Sequence, residues 1–219
     1  MRYFFLLVIF VNIGLASSQS YNKTDFLVIV DVLAPLDDRK VYKSNGLNFS
    51  FGVGAGFNFM TRLPKKIAVR YGIELALNRV NFVLNDSQTF NSFSQLKIPV
   101  LFQYSLDIDR RRKNTIDFFI GTKVIFQKGH VISGLTSSGD FSTFYFKKIG
   151  GVFPLLTFGI GYDLKLRSPN FLGIEIAYNL GLLKTLSYKY QSTYREYSYE
   201  SKQTHLSLKV LFPLNARAK

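Results

Sequence analysis

The sequence predicts an all-β protein, an eight-stranded antiparallel up-and-down β-barrel that spans a membrane. Three observations predict this fold. Apolar residues recur at every second position in eight segments, short and long polar connections alternate between the segments, and polar residues occupy the opposite phase. A period of two places each set on one face of a strand, so large apolar groups face lipid and small or polar groups face the lumen.

The first 18 residues are interpreted as a secretory signal peptide. They combine a basic start at Arg2, an apolar core over 4–11 and small residues at 16–18. Residues 19–219 then form the barrel domain, in which no stretch is apolar enough for a transmembrane helix. The chain has no cysteine, which excludes disulfides.

The predicted strands follow in chain order. The first, 25–34, is the least regular, because apolar residues occupy both of its phases. The second, 46–61, is the clearest, and the third, 67–84, changes phase near Asn78 and Arg79, which predicts a one-residue bulge there. The other five are defined by apolar rows at 96–108, 116–126, 156–166, 172–182 and 206–212.

The connections between these strands alternate in length. The short ones are 63–66, 109–115 and 167–170, and the mostly longer ones are 35–45, 85–92, 129–150 and 187–201. This alternation is expected when tight turns face the periplasm and long loops face outward. An even number of strands then leaves both chain ends on the periplasmic side.

Charged residues on the second phase are predicted to meet inside the barrel, where opposite charges can pair. The members of this polar network are Arg70, Glu74, Lys97, Asp117, Lys123, Glu175 and Lys209. An eight-stranded barrel has an interior just wide enough for side chains to fill. A closed lumen is therefore favoured over the alternative, a narrow pore.

The formal net charge of +14 raises nucleic acid as a partner. The basic residues are spread over turns, loops and alternate strand positions, so the sequence favours outer-membrane lipid or an acidic surface instead. The glycine run over 52–56 resembles part of a phosphate-binding loop, but it lies inside a strand and opens no helix. Small residues on a crowded inner face explain it better.

Few residues suit catalysis or metal binding. With two histidines, His130 and His205, and no cysteine, no transition-metal site is expected. A hydrolase would need His205 as base with Ser201 or Ser207 as nucleophile, and nothing in the spacing selects these groups. The sequence therefore predicts a protein that is not an enzyme.

Two segments are candidate partner contacts. The first is the basic turn Arg110, Arg111, Arg112 and Lys113, which either docks an acidic periplasmic partner or inner-leaflet phosphates, or is simply solvated. The second is a hairpin with its tip near 193–196, rich in tyrosine at Tyr188, Tyr190, Tyr194, Tyr197 and Tyr199. An exposed tyrosine-rich sheet suits a protein contact, and an aromatic belt at the membrane interface is the alternative.

Several short motifs resemble the PorT-like outer-membrane β-barrel family, among the small OmpX/OmpA-type barrels. They are Gly46-Leu47-Asn48-Phe49-Ser50, the strand Leu96-Lys97-Ile98-Pro99-Val100-Leu101-Phe102-Gln103-Tyr104, and the later segments 158–162 and 174–178. The resemblance implies an outer-membrane barrel without catalysis or cofactor. It also suggests other outer-membrane or periplasmic proteins of a secretion complex as partners, although fold alone does not fix function.

The sequence thus predicts a non-enzymatic outer-membrane barrel that is a structural or partner-binding component, an accessory to a protein secretion or export assembly. A small porin or transport protein is the alternative. A soluble ligand-binding barrel comes third, because the rows of Phe, Leu and Ile would leave an apolar surface that soluble monomers do not tolerate.

Overall fold

The computed structural model describes residues 24–35, 45–84, 87–109, 114–136, 142–165, 171–191 and 196–213. Over these ranges the chain forms twelve β-strands. Eight of them close into a barrel and four form a separate sheet. In the same ranges there is no helix with the length and apolar character needed to cross a membrane.

The barrel strands pair antiparallel all the way round, in the order β1-β12-β9-β8-β5-β4-β3-β2. They are β1 Thr24–Pro35, β2 Asn45–Arg62, β3 Ile67–Leu84, β4 Ser87–Asp107, β5 Thr115–Gln127, β8 Gly151–Lys165, β9 Phe171–Gly181 and β12 His205–Pro213. Strands that follow one another within the barrel are neighbours, and β12 closes on β1. This confirms the predicted eight-stranded up-and-down barrel.

The wall of the barrel is apolar outside. Outward residues near the middle of the strands, such as Ile73, Leu75 and Ile120, are more than half exposed. The irregular β1 has apolar residues on both sides because it also supplies the inner face. Its outward Val30 and Val32 are exposed, and its inward residues join a buried apolar cluster of Leu27, Ile29, Met60, Ala68 and Leu211.

One end of the barrel, the turn end, carries the tight connection from Leu63 to Lys66. Lys65 and Lys66 both adopt positive φ there, 62° and 64°, and the Leu63 amide donates to the Ile67 carbonyl at 2.8 Å. The start of β1 and the end of β12 lie at this same end, since Thr24 pairs with Thr61 and Leu27 with Pro213. The first described strand therefore begins, and the last one ends, at the turn end, and the periplasmic location of this end stays a prediction.

The opposite end, the loop end, carries the second sheet. Its strands are β6 His130–Thr136, β7 Ser142–Lys148, β10 Leu186–Gln191 and β11 Glu196–Ser201, in the order β11-β10-β7-β6. That order repeats the order of the barrel strands to which they connect, β12-β9-β8-β5. Two backbone bonds bridge the join: the Ile149 amide donates to Thr185 at 2.9 Å, and the Thr185 amide donates to Ser201 at 2.8 Å. The loop-end sheet is therefore a continuation of half of the barrel wall.

Two predicted connections were wrong at this end. The segment 129–150, predicted as a loop, contains β6 and β7, and most of the predicted loop 85–92 belongs to β4, which begins at Ser87. The physical reason is the same in both places. Beyond the lipid a strand no longer needs an apolar outer row, so a polar sequence such as 87–94 pairs through its backbone without showing the expected alternation.

The predicted bulge was assigned to the wrong strand. The pairing of β3 with β4 runs without interruption from Leu77 to Leu84. The register between β2 and β3 shifts between Ser50 and Val53, so the extra residue belongs to β2. The apolar residues of β3 therefore change phase where its pairing with β4 is uninterrupted.

Candidate functional site

The lumen collects the predicted polar network. All seven of its predicted members are buried: Arg70, Glu74, Lys97, Asp117, Lys123, Glu175 and Lys209. Asp31 on β1 joins them, so four cations face four buried carboxylates among the described barrel residues. Because isolated charges are costly to bury, this balance is what a closed interior requires.

One ion pair crosses the full width of the barrel. The Arg70 guanidinium on β3 binds the Glu175 carboxylate on β9 through two parallel bonds, one of them from Nη2 to Oε2 at 2.9 Å. β3 and β9 stand four places apart in the ring of eight, so they face each other. The guanidinium carbon also lies 5.1 Å from the centre of the Phe119 ring. A bidentate pair of this kind fixes geometry as well as charge.

A second cluster, centred on Glu74, lies beside this pair. Lys209 Nζ donates to Glu74 Oε1 at 2.6 Å, and Lys123 Nζ lies 3.4 Å from Oε2. Asn58 Nδ2 donates to Oε1 at 3.3 Å. Lys209 Nζ is also 3.8 Å from the carboxylate of Asp31. One carboxylate thus ties together side chains from β2, β5 and β12.

Lys97 differs from the other three lumen cations in the hydrogen bonding of its ammonium group. It is buried, and its Nζ has no hydrogen-bond partner within the described structure. Its backbone is paired with that of Glu74 across β3 and β4. The buried carboxylates of Asp31 and Glu74 attract its charge.

The glycine run of β2 provides the space for these groups. A Cβ on Gly56 would lie 2.7 Å from the Cα of Glu74 and 3.1 Å from its Cγ. A Cβ on Gly54 would lie 3.4 Å from the Cβ of Asp31. The small residues therefore clear room on the inner face, as predicted, and they form no phosphate-binding loop.

Amide side chains cross the loop-end mouth. Gln95 Nε2 on β4 donates to Oε1 of Gln127 and to Oε1 of Gln203, each at 2.7 Å. Asn78 Nδ2 donates to Gln95 Oε1 at 2.9 Å, and Gln127 Nε2 donates to the Ile149 carbonyl at 2.7 Å. Gln203 lies two residues before β12, which stands opposite β4 in the ring. The amide layer thus spans the mouth and anchors the loop-end sheet.

Lys148 at the end of β7 joins the loop-end sheet to β4. Its Nζ donates to the Ser94 carbonyl at 3.3 Å and lies 4.3 Å from the centre of the Phe93 ring. Burial lowers the pKa of Lys148 to about 8. This contact holds the sheet against β4 just above the amide layer.

The structure describes only some of the candidate partner contacts, and it buries one of them. Tyr188, expected to be exposed, is 4% exposed, because its strand turns this side chain to the buried face that also holds Phe146, its register partner on β7. Tyr190 pairs with Tyr197 in the β10–β11 hairpin, as the predicted hairpin requires. The side chains of Tyr190, Tyr197 and Tyr199 lie outside the described structure. Tyr194 and the turn Arg110, Arg111, Arg112 and Lys113 lie outside the described residues altogether.

The hydrolase candidates are not brought together as a catalytic pair. His205 Nδ1 lies 2.9 Å from the Gln203 carbonyl, which only accepts, so Nδ1 carries the proton. Its Nε2 has no partner in the described structure. Ser207 Oγ accepts from Asn179 at 3.1 Å, and Ser201 Oγ accepts from the Gln203 amide at 3.0 Å.

The sequence reasoning missed several residues of this arrangement. Asp31 lies on the same phase as the inward residues of β1, a signal obscured by apolar residues on both faces. The glutamines of the amide layer carry no charge, and Lys148 lay in a segment predicted as a loop. Alternation within β4 and β5 would have placed Gln95 and Gln127 on the inner face.

Comparison with known protein families identifies a match. The family described as outer membrane protein beta-barrel domain matches residues 8–187 of the chain. That segment contains every lumen charge named above except Lys209. A comparison with curated proteins finds no match.

Proposed function

Since the chain belongs to the outer membrane protein beta-barrel domain family, we propose that it is a closed, non-catalytic barrel that serves the bacterial outer membrane as a structural or partner-binding component. The observation that carries this proposal is the filling of the lumen. Arg70 and Glu175 pair across the barrel, and Gln95 connects Gln127 with Gln203 across the mouth. Because these side chains fill the lumen, we expect the protein to bind its partners through its outer surface and not through its interior.

The loop-end sheet is the surface we propose for partner binding. Its outer face exposes Val131 and Tyr145, and large side chains of this kind are common in protein contacts. The tyrosine-rich β10–β11 hairpin adds Tyr190, Tyr194, Tyr197 and Tyr199 as candidates. Tyr188 instead supports the sheet from its buried face.

An accessory role in protein secretion or export is the finer proposal. It rests on the resemblance of the strand motifs to the PorT-like family and on the N-terminal signal peptide interpreted over residues 1–18. In that role the basic turn, 110–113, would meet an acidic periplasmic partner. A small porin is the competing function, and the paired lumen charges argue against it.

Co-purification in mild detergent tests partner binding. Tagged full-length protein is recovered from its native outer membrane, alongside the variants Tyr145→Ser and Tyr162→Ser. These tyrosines are both 39% exposed, but Tyr145 lies on the loop-end sheet and Tyr162 on the barrel wall. We expect a stoichiometric partner with the wild type and with Tyr162→Ser, and a reduced yield of that partner with Tyr145→Ser.

A variant of the basic turn tests the periplasmic contact separately. Replacing Arg110, Arg111, Arg112 and Lys113 by glutamine should release any partner held by charge. Recovery of the wild type as a lone barrel would contradict the partner-binding proposal. It would leave the closed barrel itself untouched, because that claim rests on the lumen.

A further inference from the structure

Exposed lysines lie along the base of the loop-end sheet. We call them the basal lysines: Lys128, Lys147, Lys184 and Lys202. Lys128 follows β5 directly, and Lys147 is the last exposed residue of β7. Lys184 and Lys202 belong to the two short links that join β9 to β10 and β11 to β12.

The registers place these residues at one level of the molecule. Lys147 pairs with Ser187, which pairs with Glu200, and the side chain of Glu200 binds Lys184. The backbone of Lys202 approaches Gly181, where an added Cβ would lie 3.1 Å from the Lys202 Cβ. Close approach of Gly129 to Gly150 holds the starts of β6 and β8 together beside Lys128.

The outer apolar surface ends directly below this level. Exposed apolar side chains of the outer wall lie just below the basal lysines: Val152, Leu182 and Leu206. In β9 and the link that follows it, the outward row passes from Leu182 to Lys184, and in β5 from Phe126 to Lys128. A cation that follows the last lipid-facing residue lies at the depth of the lipid head groups.

Charge on this face is predominantly positive. Among the described residues at the level of the basal lysines, Glu200 is the acidic side chain, and Lys184 binds it. Lys128 and Lys147, both exposed, add to the positive potential that an anionic group would meet. An ammonium on a long flexible stem suits a phosphate group, which it binds as a point charge.

We propose that the basal lysines bind the phosphate groups of anionic lipid in the outer leaflet. The apolar residues beneath them would contact the acyl chains of the same lipid molecule, so recognition combines a phosphate contact with a hydrophobic one. This site differs from the partner surface proposed higher on the sheet. It would remain if no protein partner were found.

Native mass spectrometry of the full-length protein in detergent tests this site. The probes are diphosphoryl lipid A and its monophosphoryl derivative. The variant Lys128→Gln/Lys147→Gln removes two basal lysines and leaves the Lys184–Glu200 pair in place. The matched control, Lys65→Gln/Lys66→Gln, removes the same charge at the turn end.

We expect the wild type to retain diphosphoryl lipid A more tightly than the monophosphoryl form. Retention should fall about fivefold for each basal lysine removed. It should be kept in the turn-end control and in the charge-preserving variant Lys128→Arg/Lys147→Arg. Equal retention of the two lipids, or equal loss in the basal variant and the turn-end control, would overturn the proposal.

Discussion

Glu74 illustrates how one side chain closes the barrel interior. Its carboxylate contacts Lys209, Lys123 and Asn58, which come from three other strands. A buried pair of opposite charges is not in itself strongly stabilising, because desolvation offsets the attraction. Removing one partner is costly, because the other charge is then left buried without compensation.

Replacing Glu74 by glutamine should therefore destabilise the barrel by about 3–5 kcal/mol. The double variant Glu74→Gln/Lys209→Met should lose less than the sum of its two single variants, because it removes both charges of one contact. Urea unfolding in detergent micelles, monitored by far-UV circular dichroism, measures the free energy of unfolding of each variant. Additive losses would contradict the described contact.

Lys148 provides a test of pH dependence. Its pKa of about 8 lies below the ordinary value of 10.5 because the side chain is buried. A detached sheet therefore binds more protons than a docked one between these two pH values. The docked form should gain stability as pH rises from about 8 to 10.5, and below about pH 8 the contribution of this group should no longer change with pH.

Selective ¹³C labelling of lysine makes this titration visible. We expect one Cε signal, lost in Lys148→Gln, to titrate with a midpoint of about 8. A midpoint for that signal near 10.5 would show that Lys148 is hydrated and that its contact with Phe93 does not form.

The loop-end sheet depends on one pairing at the scale of the strand. β6 and β7 form a hairpin within one long connection, β10 and β11 form a hairpin within another, and β7 pairs with β10 to join them. Buried Phe146 and Tyr188 are partners at the centre of this pairing. The two connections therefore behave as one unit.

Engineered cysteines test the register of that pairing in a chain that has no native cysteine. Tyr145 and Lys189 are direct partners and both are exposed. Partners lie about 4.5–5.5 Å apart, within disulfide range, whereas diagonal neighbours lie at about 7–8 Å. Tyr145→Cys/Lys189→Cys should cross-link rapidly under mild oxidation, and the diagonal control Tyr145→Cys/Ser187→Cys should not. The reverse order would contradict the register.

The eight barrel strands were predictable because lipid imposes alternation on each of them. β6 and β7 were not, since water outside the membrane imposes no such pattern. Alternation correctly assigned Arg70 and Glu175 to the inner face, but it contains no information about which residues meet across the lumen, and these two lie 105 positions apart. Tyr188 was misassigned because the link after β9 shifts the phase before β10 begins.

At the scale of the whole molecule, apolar and charged residues are distributed in the reverse of the way found in a soluble protein. Its outer wall exposes apolar residues around the ring, and its interior holds balanced charges and small apolar clusters. This is the pattern that lipid outside and a closed polar lumen require. The cost of an outward charge should therefore depend on its depth in the membrane.

Two isoleucines of similar exposure test this depth dependence. Ile120 is 57% exposed at the middle of β5, and Ile108 is 54% exposed at the turn end just after β4. Ile120→Arg should cost about 2–4 kcal/mol in a lipid bilayer and Ile108→Arg about 0–1 kcal/mol. Reversible unfolding of both variants in phospholipid vesicles gives the comparison, and equal costs would argue against a membrane span at this depth.

The most direct test of the closed barrel is conductance across a planar lipid bilayer. Full-length protein is reconstituted at single-molecule density, and protease protection verifies its insertion. We expect no steady current steps, because the Arg70–Glu175 pair, the Glu74 cluster and the amide layer fill the lumen and its mouth. Long-lived, uniform conductance steps from the wild-type protein would contradict this account and favour a small porin.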